Sequence, residues 1–145
     1  MLALIQRVNY ARLSIDSAVH GEIGVGLLAL VGIEKEDDAS SIERMADKIL
    51  AYRVFADDEG KMNLGLKDID GELMLVSQFT LAATTDKGLR PGFSSAMPPD
   101  QARVIYEQLV TAAQHRHARV VSGVFAADMQ IALENNGPVT FMLKV

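Results

Sequence analysis

Apolar positions change their period several times along the chain, and each change marks an element. Leu2 to Val8 alternates as a strand, Arg12 to Ile15 reads as a short partner, and Val25 to Ile33 reads as a buried strand of small and branched apolar residues. The period then becomes helical. Ser40 and Glu43 stand at capping-box spacing, and Ile42, Met45, Ala46, Ile49 and Leu50 make one apolar face. Pro98, Pro99 and Asp100 introduce a second helix, in which Ile105, Leu109 and Ala112 or Ala113 form a comparable stripe. Between the helices, Glu72 to Leu81 is a strongly apolar strand that ends in Ser77, Gln78 and Thr80, small polar groups on a rigid terminus.

Near the end of the chain two alternating apolar segments flank Glu134-Asn135-Asn136-Gly137-Pro138-Val139-Thr140. Asn-Gly favours a tight turn with positive φ, so this heptad by itself reads first as a β-hairpin turn. A second reading stands beside it. Gly137 tolerates backbone angles that expose its carbonyl, and Pro138 fixes φ, removes a donor and raises the chance of a cis bond before it. The segment then serves as a rigid backbone acceptor aimed at a ligand.

Composition narrows the chemistry. With 145 residues and 49% apolar content, the chain fits one compact domain that buries about two-thirds of its unfolded surface. There is no cysteine, which excludes disulfides, thiolate metal sites and thiol nucleophiles. The Met-Leu-Ala-Leu-Ile start lacks a positively charged leader, and charges interrupt every apolar run below spanning length, so a soluble, cytoplasmic protein without membrane contact is expected. A net charge of −5 disfavours a large nucleic-acid surface. The distribution is uneven, however. Residues 34–72 hold 12 acids and 6 bases, whereas residues 84–119 hold 5 bases and 3 acids, which leaves room for a few phosphate contacts at one end.

Most local motifs return negatives. The spacing Gly21-Glu22-Ile23-Gly24-Val25-Gly26 is not followed by a helix, so it marks a hairpin corner and strand ends rather than a dinucleotide fingerprint. Asp57-Asp58-Glu59-Gly60 is an acidic turn without the ligand spacing of a calcium loop. His115 and His117, two apart at a helix end, face different directions and read as solvated residues that complement the helix dipole, not as a metal pair. Neither Ser77 nor Thr80 has a sequence-local histidine base. No metal and no cofactor is implied.

Taken together, Ser77-Gln78-Phe79-Thr80-Leu81 and Asn135-Asn136-Gly137-Pro138-Val139-Thr140 closely resemble the two signature motifs of the D-aminoacyl-tRNA deacylase (D-tyrosyl-tRNA deacylase) family. Further matching segments are Gln6-Arg7-Val8, Gly60-Lys61-Met62-Asn63, Lys87-Gly88 with Arg90-Pro91 and Phe93, and Gly123-Val124-Phe125 with Ala127-Asp128-Met129. The resemblance runs in order over essentially all of residues 1–145. It implies an α+β domain with a mixed, barrel-like sheet packed by two main helices, and a homodimer with active sites built across the subunits.

What the resemblance implies for function is hydrolysis of D-aminoacyl-tRNA, and of glycyl-tRNA, with L-esters rejected. The Gly137-Pro138 bond would be cis, and the two carbonyls would read the α-amino group and the configuration at Cα, with Asn135 beside them. Ser77, Gln78, Phe79 and Thr80 would form the opposite wall, with Gln78 and the Phe79 backbone near the ester. Arg7 would support the Gly-Pro motif, Met129 would border the adenosine pocket, and Lys87 and Arg90 would meet the tRNA backbone. The 2′-hydroxyl of the terminal adenosine would help to activate water, which fits a chain without a strong local base. Asp86, Leu89 and Gly92 depart from the family's usual pattern and leave both pocket motifs untouched. The alternatives are an RNA-binding or structural domain without rapid hydrolysis, and an esterase with Thr80 as nucleophile.

Overall fold

The computed structural model describes residues 1–86 and 88–145. Strand β1 (Leu2–Ile15) turns through Asp16 and Ser17, both at positive φ, into β2 (Ala18–Ile23), and β3 (Gly26–Gly32) follows. Helix α1 (Ala39–Ala51) and the small ribbon of β4 (Phe55–Ala56) and β5 (Met62–Leu64) precede β6 (Glu72–Ser77), which ends in a 3₁₀ turn, Phe79–Ala82. Helix α2 (Pro99–Arg116), β7 (Val120–Ser122) and β8 (Gln130–Lys144) complete the order. β1 pairs antiparallel with β2, β3 and β8, while β3–β6 and β6–β7 are parallel, so the sheet is mixed.

The sheet curls until its ends approach. A Cβ on Gly21 of β2 would stand 2.5 Å from Val121 Cγ1 of β7, so only glycine lets the strands close to this distance. This near-closure divides the apolar residues between two clusters. Leu27, Ala29 and Val31 of β3, with Leu73 and Leu75 of β6, pack with α1 and α2. The alternate residues Leu28, Met74 and Val76 point to the inside of the curl with Val8, Leu13 and Ile23. Strands buried on both faces read as continuous apolar runs, as 27–31 and 73–76 do.

Three expectations are corrected locally. The N-cap of α1 is Asp38, whose Oδ1 accepts from the Ser41 N–H at 3.0 Å; Ser40 already lies within the helix, and Glu43 pairs with Arg116 of α2 instead of closing a capping box. Residues 12–15 continue β1 rather than forming a separate partner. His117 is half-buried and bonded rather than freely solvated: its Nε2 donates to the Gly71 carbonyl at 2.7 Å, whereas His115 is exposed.

Candidate functional site

The hairpin reading of residues 134–140 is also corrected. The chain passes through this heptad without reversing, because β8 stays paired with β1 on both sides of it: Gln6 faces Thr140 and Val8 faces Asn135. Residues 136–139 therefore stand opposite the single residue Arg7, as a bulge inserted in one long strand. Within it, Gly137 has φ +127° and the Gly137-Pro138 bond is cis. Both residues are exposed.

Side chains on either side hold the bulge. Arg7 Nε donates to the Asn136 carbonyl at 3.1 Å and Nη1 donates to the Val54 carbonyl at 2.6 Å, tying the bulge to the segment between α1 and β4. Arg7 Nη2 reaches Asn136 Oδ1 at 3.4 Å, and Asn136 Nδ2 donates to Asn9 Oδ1 at 2.7 Å. Asn135 spans the glycine and proline, its Oδ1 accepting from the Val139 N–H at 3.1 Å. Four polar residues thus replace the ladder bonds that the bulge interrupts.

The second motif sits elsewhere on the molecule. Ser77 ends β6, the Gln78 N–H donates to the Val31 carbonyl at 2.7 Å, and Gln78 Nε2 donates to Thr80 Oγ1 at 2.6 Å. Ser77, Gln78 and Phe79 line a cavity of about 690 Å³, a volume ordinary for small-molecule sites. Met129 borders the same cavity, with Phe125 and Asp128. Its other walls are Pro98, Pro99 and Ala102 at the start of α2, and Phe93. The only ionisable side chain among the described lining residues is Asp128.

Two neighbours stiffen the far wall. Tyr106 Oη donates to the Leu75 carbonyl at 2.9 Å, and burial raises the phenol above its ordinary range, so it stays a protonated donor. The Phe125 ring lies 6.0 Å from the Tyr106 ring, and the Arg103 guanidinium stands 5.1 Å over it.

Of the sequence-derived site residues, the structure brings Ser77, Gln78, Phe79 and Met129 together around one cavity. Thr80 is exposed on the 3₁₀ turn beside it. Arg7, Asn135, Gly137 and Pro138 form a separate group that does not line that cavity within the chain. Arg90 is exposed on a loop closed by Thr84 and Gly92, which exchange N–H···O bonds of 2.7 and 3.0 Å; Lys87 lies outside the described residues. Phe93, Phe125 and Asp128 are cavity residues for which the sequence offered no role. Their only signal was their place in segments shared with the family.

A mixed, nearly closed sheet with two helices on one face and a cavity beside the end of β6 defines a recognisable α+β class. A solved structure described as "c-Myc DNA Unwinding Element Binding Protein" has this fold with TM-score 0.95 and 36% identity, covering 100% of this chain and 99% of that one. A probable eukaryotic D-amino acid tRNA deacylase shares the fold at TM-score 0.87 and 14% identity, over 99% of this chain and 98% of that one. The D-aminoacyl-tRNA deacylase of Cellvibrio japonicus (strain Ueda107) is 55% identical over 145 residues, covering 100% of this chain and 99% of that protein. The protein of the same name from Ectopseudomonas mendocina (strain ymp) is 55% identical over the full length of both chains. This chain belongs to the D-Tyr-tRNA(Tyr) deacylase family, whose model matches residues 4–144.

Proposed function

We propose that this chain is an ester hydrolase that cleaves D-aminoacyl-tRNA, and glycyl-tRNA, while rejecting L-aminoacyl-tRNA through the Gly137-Pro138 backbone. Deacylation of D-aminoacyl-tRNA is the activity carried by its full-length relatives. The finer reading rests on one observation: the wall at Ser77–Phe79 encloses a cavity, whereas Gly137 and Pro138 are held out in solvent by Arg7 and Asn135. Such a rigid, exposed bulge is suited to completing the pocket of a second copy. β8 has β1 as its strand partner among the described residues and carries Phe141 and Met142 exposed, which suits an interface between copies.

In this reading the terminal adenosine and its ester occupy the cavity, with Met129 beside the base and Gln78 beside the ester. The Gly137 and Pro138 carbonyls of the second copy accept from the α-ammonium group and stand close to Cα. That placement reads the configuration and ignores the side chain, so a hydrogen at the crowded position is tolerated and an L-side chain is not. Water attacks the ester carbonyl carbon, the bond to the ribose oxygen breaks, and the proton lost by water reaches that oxygen with help from the 2′-hydroxyl. The products are free amino acid and tRNA. The protein contributes orientation more than a base, in keeping with walls that carry Asp128 as their ionisable side chain.

Arg90, and Lys87 near it in sequence, would meet phosphates of the acceptor end. The deciding experiment times amino-acid release from D-tyrosyl-, L-tyrosyl- and glycyl-tRNA by the purified protein. Fast release from the D- and glycyl esters with little from the L-ester is the expected result. Equal D and L rates would remove the backbone filter, and binding without release would favour an RNA-binding domain.

A further inference from the structure

Two aromatic rings at the mouth of the cavity are more exposed than packing alone would leave them. Phe79 is 58% exposed and Phe93 41% exposed, and their ring centroids are 5.0 Å apart with the planes tilted by 49°. Both line the cavity, and both are held by short-range structure. Phe79 opens the 3₁₀ turn directly after the Ser77–Gln78 wall, and Phe93 follows the bonded pair Thr84 and Gly92 and heads a turn in which the Ala96 N–H donates to the Phe93 carbonyl at 3.2 Å. A fixed aromatic pair facing water at a cavity mouth is a stacking platform without its partner.

We propose that Phe79 and Phe93 stack the nucleobase immediately 5′ of the terminal adenosine, making the rim a second nucleotide subsite. The inference rests on the function proposed above, in which the cavity takes the terminal nucleoside and its ester. A volume of about 690 Å³ suits one such group and not a run of nucleotides, so the preceding nucleotide must leave through the mouth. Stacking on ring faces is tolerant of base identity, which suits an enzyme that must act on many tRNAs. The exposed Arg90 lies three residues before Phe93, so a cation for the adjoining phosphate sits next to the platform in the chain.

The test compares three D-tyrosyl esters: of adenosine, of the dinucleotide cytidylyl-adenosine, and of the same dinucleotide with an abasic first position. Wild-type protein should hydrolyse the cytidylyl ester with a kcat/KM about 5- to 100-fold above the other two, the size of one base-stacking contribution. In F93A the cytidylyl ester should fall to the rate of the abasic ester, whatever the change on the adenosine ester, and F93W should restore the ratio between them. An abasic ester as good as the cytidylyl ester overturns the proposal with no mutation needed, and so does an F93A that slows all three esters equally while remaining folded. If wild-type protein hydrolyses none of the three, the proposed function fails. The platform is then read separately from binding of uncharged cytidylyl-adenosine against its abasic form: tighter binding of the former, lost in F93A, supports it, and equal binding overturns it.

Discussion

Arg7 Nη2 stands 2.9 Å from the point that a Cβ on Gly137 would occupy, and the same guanidinium bonds the Asn136 carbonyl and the Val54 carbonyl. One side chain on β1 therefore both anchors the bulge of β8 and closes the space around its glycine. The bulge interrupts the β1–β8 ladder, so its shape depends on this contact together with those of Asn9, Asn135 and Asn136.

Replacing Arg7 by lysine keeps the charge but leaves a single nitrogen for acceptors on two sides. R7K should destabilise the fold by ~2 kcal/mol, the size of a lost charge-assisted hydrogen bond, and should lower D-ester turnover more than tenfold. Urea unfolding and single-turnover release check the two effects. Turnover unchanged in R7K would show that the bulge holds its active shape without the guanidinium.

G137A places a methyl 2.7 Å from Val139 Cγ2, against Arg7, at a φ of +127° that L-residues rarely adopt. A cost of ~1–3 kcal/mol is expected from the backbone alone, with D-ester turnover or chiral selection impaired beyond what the loss of stability explains. Mixing G137A with Q78A then tests the shared pocket. Reciprocal placement yields one intact pocket in each heterodimer and recovered turnover, whereas pockets built within one chain recover nothing.

Thr80, whose Oγ1 accepts from Gln78 at 2.6 Å, and Asp128 are the side chains to challenge chemically. If the adenosine 2′-hydroxyl assists water, a 2′-deoxy substrate with a 3′-linked D-ester should lose most of its rate, while T80A and D128N retain measurable hydrolysis. A trapped acyl-Thr80 species would instead make Thr80 the nucleophile, and a D128N that abolishes turnover would make Asp128 the base.

Tyr106 links α2 to the β6 strand end that leads into the Ser77–Gln78 wall. Its Leu75 acceptor is also bonded by the Gly123 N–H at 2.8 Å, so Y106F leaves no orphaned carbonyl and should cost ~1 kcal/mol with turnover largely kept. The phenol's folded pKa is raised by burial from the ordinary 10.0. Folding therefore keeps this group's full contribution below about pH 10 and loses it as pH rises further, because the unfolded chain ionises first. Denaturation across that range should show a smaller alkaline loss in Y106F than in wild type.

The features legible along the chain are local and periodic. The apolar runs at 25–33 and 72–81, the second of which stays a strand only as far as Ser77, the helical faces at 42–50 and 105–113 and the two motifs at 77–81 and 135–140 were legible because burial and backbone geometry impose short repeats or specific residue types. Asp38 and Ser40 are both capable caps of α1, and only the hydrogen bonds of the first turn choose Asp38. The heptad at 134–140 carried every sign of a hairpin. Whether a turn signal reverses the chain depends on its partner strand, and β1 runs past it on both sides, so it became a bulge. The cavity was likewise illegible, since Phe93, Pro98, Phe125 and Met129 approach Gln78 only when α2 and the β7–β8 connection fold over the end of β6. Periodicity records which face of an element is buried; which elements meet, and where they leave a space, is decided by long-range packing.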